Sequence, residues 1–371
     1  MLSGENNHAM PEISRRSDKN SCYRNISSYE ISSSAEMPLK NFLPARHEFA
    51  NKYDFGSLLI IAGSCGMTGA AILAARAALR AGAGLVTIAC PHSERPIIAA
   101  ALPEAMTLGL SEECGAIAPS AAAEIMEFAK KRKISAILIG PGLSCSENIA
   151  VLVKNILENT CLPIAADADA LNAISMLGGF RKISFPKKAL PMIITPHEGE
   201  AARLLGKKIK KQKINRQNIE NCQTRKKGSF ESETENYCCN KEISREQASM
   251  ELAEICGGIV MLKGPGTLIC HKSYDAKENG IFKIFRNDTG SSELAKGGSG
   301  DVLAGITAAI YMQNGIANGF THKTACNSAV LAAWIHGKCG FYASAALNAR
   351  SIIATDLIEA IPQAFNAAEN L

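Results

Sequence analysis

The sequence predicts an α/β protein of three layers, with helices on both faces of a mainly parallel central sheet. Three observations lead there. Short apolar runs alternate with helical patterns along most of the chain. Glycine and polar residues gather just after the C-terminal end of each run, the edge at which open α/β sheets bind ligands. Apolar residues make up 47% of the 371 residues and aromatics only 5%, with 30 Gly. Such a mixture lets helices lie close against a sheet and does not suit a disordered chain.

Residues 1–38 are rich in Ser, Asn and charge without periodicity, and a disordered tail is expected there, ahead of a folded domain over 39–371. Ser57–Ala62 is an apolar run ending at Gly63, which reads as a buried strand entering a tight turn. An Ala-rich helix is expected over Thr68–Ala81, ended by Gly82–Gly84, and a strand over Leu85–Cys90. The pattern recurs with a strand at Ser135–Ile139 running into Gly140–Pro141–Gly142, then a helix at Glu147–Leu157. Leu162–Ala166 is a strand ending in Asp167 and Asp169; Pro191–Ile194 is another, ending at Thr195–Pro196–His197 before a helix at Glu198–Leu205. Gly258–Leu262 is a strand that stops at Lys263–Gly264. Residues at about 207–248 are Lys-rich, then Ser-, Glu- and Asn-rich, with almost no apolar pattern, and form an expected surface insertion. Ala-rich helical patterns over 321–346 and 354–369 close the fold, and no internal repeat is evident.

Several classes are disfavoured. The formal charge of +5 is modest and its Lys excess is concentrated at 207–227, unlike a nucleic-acid binder. The longest apolar stretch, around Ala70–Gly84, is interrupted by Arg76 and Arg80, so no membrane span is expected. The N-terminus lacks the pattern of a secretory signal. Thirteen Cys are scattered through expected strands and helices, among them Cys90, Cys256, Cys270, Cys326 and Cys339. They read as buried thiols of a reducing, cytoplasmic compartment. Cys238 and Cys239 are adjacent and no C-x-x-C occurs, which disfavours zinc.

The strongest chemical signal is Lys296–Gly297–Gly298–Ser299–Gly300–Asp301, followed by an apolar helical pattern from Val302 to Tyr311. Glycines entering a helix expose backbone N–H groups at its positive end, a seat for phosphate. Asp301 in the first turn is placed to accept a proton from a substrate hydroxyl, or simply to complement the helix dipole. Lys263–Gly264–Pro265–Gly266–Thr267 follows a strand and offers close backbone approach, a charge and a hydroxyl; by itself it also fits a hairpin turn. Gly63, Gly66 and Gly69 fall three apart, which fails the dinucleotide fingerprint, and no P-loop occurs. His197 at a helix start fits a ligand contact or a cap. Asp167 and Asp169 fit water on Mg²⁺ or a cap of the next helix.

Taken in order, Gly56–Pro91, Ile139–Leu143 (IGPGL), Asp167–Asn172 (DADALN), Thr195–Glu200 (TPHEGE), Leu262–Thr267 (LKGPGT) and Leu294–Gly305 (LAKGGSGDVLAG) resemble one family. These are the ADP- or ATP-dependent NAD(P)H-hydrate dehydratases, with a ribokinase-like fold. The likeness spans about residues 40–370 apart from the insertion. It implies that Ala70 or Ala71, Gly142, His197 and Asp301 line the hydrated dinucleotide. It implies that Lys263, Gly264, Pro265, Gly266, Thr267, Gly298, Ser299 and Gly300 face the adenine nucleotide, with Mg²⁺ bridging its phosphates and no metal ligands supplied by the chain. Asn287–Ser292 departs from the family's N-P-T-G-N-P, and a looser turn is expected. Many members carry an N-terminal epimerase domain, for which residues 1–40 are too short. Homo-oligomers are expected by the same likeness.

The implied reaction is ADP- or ATP-dependent dehydration of the S-epimer of hydrated NADH or NADPH. Asp301 would take the C6 hydroxyl proton as that oxygen attacks the terminal phosphate, and the ring nitrogen would then expel phosphate. Two other readings share the same glycines: a kinase of a small alcohol that releases a stable phosphorylated product, and a nucleotide-binding regulator without turnover.

Overall fold

The computed structural model describes residues 29–33, 37–44, 46–210, 242–273 and 280–371. In chain order the elements are β1 (Tyr29–Ser33), β2 (Ser57–Ile61), α1 (Thr68–Arg80), β3 (Leu85–Pro91), α2 (Arg95–Ala101) and β4 (Met106–Leu110). A short hairpin, β5 (Glu112–Glu113) and β6 (Ala116–Ile117), precedes α3 (Ala121–Lys131), β7 (Ala136–Ile139) and α4 (Glu147–Asn159). Then come β8 (Ile164–Ala166), α5 (Asp169–Met176), β9 (Ile193–Ile194), α6 (Glu198–Leu205), α7 (Arg245–Cys256) and β10 (Ile259–Leu262). The chain ends with β11 (Leu268–Lys272), β12 (Phe282–Arg286), α8 (Ser299–Asn318), α9 (His322–Ala346), α10 (Ala354–Glu359) and α11 (Ile361–Glu369).

Ten strands form one sheet in the order β1-β12-β11-β10-β9-β8-β7-β2-β3-β4. All neighbours are parallel except that β11 runs antiparallel to β10 and β12. Alternation along each strand sends side chains to two separate cores. Leu58, Ile60, Ile88, Leu138, Ile193 and Met261 meet α1, α8, α9, α10 and α11 on one face. Leu59, Ile61, Ile137, Ile139, Ile194 and Leu262 meet α3 to α7 on the other. The predicted three layers are therefore present. Because both faces are covered, the central strands are apolar throughout rather than alternating.

Helix α8 positions the site. It is buried from Val302 to Gly315 between α1 and α9. Only small residues allow that depth: a Cβ on Gly305 would stand 2.1 Å from the Ala74 carbonyl oxygen. Tyr311, 1% exposed, donates from its hydroxyl to the Pro191 carbonyl at 2.5 Å and pins the helix to the entry of β9.

Several expectations are amended. Tyr29–Ser33 lies within the segment read as a tail, yet pairs in parallel with β12, from Tyr29 opposite Phe282 to Ser33 opposite Arg286. Its partner is a distant edge strand, which local composition does not reveal. Residues 1–28 and 211–241, which hold the rest of the tail apart from 34–36 and most of the insertion, lie outside the described residues. The end of the supposed insertion is structured: Ile209 bridges Ile243, and the Ser244–Gln247 capping box starts α7. The helix expected over 354–369 is divided at Ala360, since Pro362 in the first turn of α11 lacks the N–H that a continuous helix needs. Cys90, Cys256, Cys270, Cys326 and Cys339 are all buried free thiols. Among the described residues no helix is long and apolar enough to cross a membrane.

Candidate active site

The loops that leave β7, β8, β9 and β10 converge with the start of α8 at the C-terminal edge of the sheet. Gly298 caps α8 with φ +83, a left-handed conformation that a side chain would strain. The first helical bond of α8 runs from Val302 N to Gly298 O at 3.1 Å. The amides of Gly300 and Asp301 therefore precede the i→i−4 ladder and have no intrahelical acceptor. Together with the helix dipole they form an anion seat.

Asp301 stands in that first turn. Burial, reinforced by the nearby Asp167 carboxylate, pushes its carboxyl up to about 6, while Lys263 works against the rise. A base with such a value is ionised near neutral pH and still basic enough to accept a proton. Gly300 is close to the same ammonium: a Cβ there would lie 3.6 Å from Lys263 Nζ and 4.0 Å from Asp167 Oδ2.

Lys263 ends β10, and its N–H donates to the Pro196 carbonyl at 2.8 Å, which registers the Lys263 loop against His197. Its Nζ lies 2.6 Å from Asp167 Oδ1 and 3.9 Å from Glu200 Oε2. Burial alone would lower its pKa; Asp167 and Glu200 outweigh that and leave it raised, so the ammonium stays charged. Lys263, expected only at the nucleotide, thus also faces three carboxylates, those of Asp167, Glu200 and Asp301. Asp167 is 2% exposed and sits at the tight joint between β8 and α5, where Ala168 takes φ +48. A non-glycine residue there is strained, and such strain gathers at working sites.

His197 caps α6. Its Nδ1 accepts from Gly199 N at 2.9 Å and Glu200 N at 3.3 Å, while Glu200 Oε2 accepts from His197 N at 2.7 Å. Burial, then Lys263 and Arg203, lowers the imidazole pKa and favours the neutral ring that this cap requires. The cap does not exclude a ligand, since the side chain is 53% exposed. Glu200, 5% exposed, was outside the expected set. Burial raises its carboxyl to about 7 against the opposing charge of Lys263. Its place in TPHEGE, three residues after the cap, was the available signal.

The remaining expected residues divide. Gly142, φ +61, packs against Ala70, and Ser64 Oγ donates to its carbonyl at 2.9 Å, so the turns after β2 and β7 close on each other. Asp169 steadies that loop by accepting from Ser144 N at 3.0 Å. Ala70 is partly exposed beside it, whereas Ala71 is 0% exposed beneath Gly63. Ala71 is therefore a packing residue rather than a lining one: helical periodicity turns it inward. Ser299 also turns inward, 5% exposed, with its hydroxyl 3.1 Å from His336 Nε2, and its N–H donates to the Lys296 carbonyl at 3.3 Å. Gly264 and Pro265 are exposed, and Thr267 Oγ1 donates to the Gly264 carbonyl at 3.2 Å. The expected looseness at 287–292 is countered by anchors: Asn287 Nδ2 donates to the Ala333 carbonyl at 2.9 Å and Thr289 Oγ1 to that of Trp334 at 3.2 Å.

The sheet order, with glycine-rich loops and an anion seat at its C-terminal edge, defines a ribokinase-like fold: a ribokinase-like superfamily protein of Enterococcus faecalis superposes with TM-score 0.65 at 21% identity, covering 95% of this chain and 100% of that one. The chain belongs to the NAD(P)H-hydrate dehydratase family, whose profile matches residues 58–363. It is 32% identical over 295 residues to the ADP-dependent (S)-NAD(P)H-hydrate dehydratase of Neisseria meningitidis, covering 79% of each chain. It is 33% identical over 325 residues to the bifunctional NAD(P)H-hydrate repair enzyme Nnr of Moorella thermoacetica, covering 86% of this chain and 51% of that one. The chain thus spans about half the length of the bifunctional relatives it matches. The Bacillus subtilis ADP/ATP-dependent NAD(P)H-hydrate dehydratase, co-crystallised with ATP/Mg²⁺, superposes with TM-score 0.61 at 25% identity, covering 89% of this chain and 96% of that one.

Proposed function

We propose that this protein dehydrates the S-epimer of hydrated NADH or NADPH at the expense of ADP or ATP. The observation that carries the reading is Asp301, a half-buried carboxylate with its pKa raised to about 6, in the turn whose free amides form the anion seat. A hydroxyl held there loses its proton to Asp301 as its oxygen attacks the terminal phosphorus, and the nucleotide leaves one phosphate shorter. Gly300 and Asp301 amides and Lys263 take up charge on the transferring group. The C6–O bond then breaks, the ring nitrogen lone pair forms the C=N bond, and loss of the C5 proton restores the dihydropyridine. Gly142, Ala70 and His197 hold the dinucleotide; the Lys263–Thr267 loop holds the nucleotide.

Mg²⁺ fits these residues as an ion carried in on phosphate. Among the described residues no group of three or more His, Cys, Asp or Glu could cage a metal, and Mg²⁺ takes most of its oxygens from phosphates and water. Asp167 is the carboxylate that would hold it through water, and the ion would supply neutralisation of phosphate charge. The folded domain, which β1 carries back to Tyr29, acts with its surface insertion in the cytoplasm as a homo-oligomer, without nucleic-acid or membrane partners.

Incubation with hydrated NADH and each nucleotide in turn tests the reading. Return of the reduced-nicotinamide absorbance, dependent on nucleotide and Mg²⁺, is expected. Accumulation of a stable phosphorylated dinucleotide, or nucleotide binding with no turnover, would refute it.

A further inference from the structure

We propose that Arg245 is a positioning residue for the nucleotide loop: it grips the Pro265 carbonyl and thereby aims the Gly266 amide. The proposal rests on the reading above that Lys263–Thr267 meets the nucleotide.

Arg245 opens α7 and is 3% exposed. A charge buried to that degree persists only where its partners are well placed. Nη1 donates to the Pro265 carbonyl at 2.6 Å and Nη2 to the Leu262 carbonyl at 3.3 Å. Nε lies 3.2 Å from the Glu198 carboxylate. Gly264 makes room for the guanidinium, since a Cβ there would stand 2.9 Å from Nη2. One side chain therefore spans the loop from the residue before Lys263 to Pro265.

The orientation follows from the planar trans peptide, in which a carbonyl and the N–H after it point in opposite directions. The first gripped peptide shows the effect. With the Leu262 carbonyl turned to Arg245, the Lys263 N–H points away and bonds the Pro196 carbonyl at 2.8 Å. Holding the Pro265 carbonyl in the same manner turns the Gly266 N–H away from the guanidinium, and we assign that N–H to a nucleotide phosphate oxygen. Glu198 adds a second link, because it is the residue after His197 at the start of α6. Arg245 thus ties the nucleotide loop to the helix that carries the proposed dinucleotide contact.

The test compares Arg245→Gln and Arg245→Lys in the full chain, by calorimetric ADP binding and by steady-state kinetics with both substrates varied. Losing a charge-assisted bond should raise Kd and KM for ADP about tenfold or more in Arg245→Gln, with kcat and KM for hydrated NADH within about threefold. Arg245→Lys, which keeps the charge beside Glu198 but loses the fork, should fall between the two, and it carries the test should the Gln variant fail to fold. ADP affinity within about twofold of wild type in a folded variant, or equal losses for both substrates, would overturn the proposal. A wild-type protein that binds ADP yet never repairs hydrated NADH would defeat the dehydratase reading alone; the Kd comparison would still decide the role of Arg245.

Discussion

Asp301→Asn should separate catalysis from stability, moving the two in opposite directions. The amide keeps the shape of the carboxyl but accepts no proton, so turnover should fall by about 10²–10⁴-fold, the usual loss for a general base. The same change removes a buried charge. Burial and Asp167 lift the Asp301 carboxyl from the ordinary aspartate value to about 6, which costs the ionised folded state on the order of 3 kcal/mol. The sign is fixed by proton counting: between the unfolded value and about 6 the folded protein holds the extra proton, so this group's contribution to stability falls as pH rises through 6. At pH 8 the Asn variant should therefore melt a few degrees higher than wild type, and the gain should fade toward pH 4. The wild-type rate should carry the same value. A base titrating at about 6 is about nine-tenths ionised at pH 7 and about one-tenth at pH 5, so kcat/KM should drop roughly tenfold across that interval. A carboxyl at its ordinary value would leave the rate almost flat there. Near-normal turnover in Asp301→Asn, or a flat profile from pH 5 to 7, would refute the reasoning.

Four further outcomes are expected. Asp167→Asn removes the like charge beside Asp301 and frees Lys263, both of which favour ionised Asp301; the acid limb of the pH–rate profile should move to lower pH. Gly142→Ala forces a side chain into φ +61 and to within 2.8 Å of the Met67 carbonyl; KM for the hydrated dinucleotide should rise more than KM for the nucleotide. Gly305→Ala drives a methyl against the Ala74 carbonyl; a loss of about 1–3 kcal/mol in denaturant unfolding is expected, as for other overpacked cores. Tyr311→Phe removes the bond to the Pro191 carbonyl and should cost about 1–3 kcal/mol with kcat/KM unchanged.

What the sequence makes legible is what local pattern encodes. Buried parallel strands are continuous apolar runs, so β2, β3, β7 and β10 are evident, and glycine at their ends marks the site edge. Helix α6 is bounded by His197 and Gly206, both local signals. Strand β1 has no such signal: Tyr29 and Ile31 are exposed, and it pairs with β12, more than two hundred residues away. Within the site, motif membership identifies residue types but not the directions of their side chains. Ala70 and Ala71 are equivalent by composition, and only the turn of α1 buries one of them. Ser299 looks like a phosphate ligand until His336, on α9, draws its hydroxyl inward. Glu200 and Arg245 were missed for the same reason. A carboxylate or guanidinium reads as surface until tertiary packing buries it, and their burial is set by β10 and its loop.

That burial also explains why the site is assembled with more acid than base. Asp167, Glu200 and Asp301 surround a single ammonium, Lys263, which Asp167 holds at 2.6 Å. Burial raises the proton affinity of Glu200 and Asp301, the Asp167 charge adds to it, and the ammonium opposes the rise without cancelling it. On the proposed reading an incoming nucleotide would add further negative charge, which would be repelled if the carboxylates were all ionised. On that reading a proton retained on Glu200 limits the repulsion while Asp301 stays ionised as the base, and the α8 amides face the charge that arrives. Giving Glu200 a surface-like, solvated environment would lower its pKa and leave a bound phosphate facing a more negative pocket. The same low-dielectric packing thus lifts Asp301 into the range of a base and, on the proposed reading, keeps on Glu200 the proton that makes an anionic substrate tolerable.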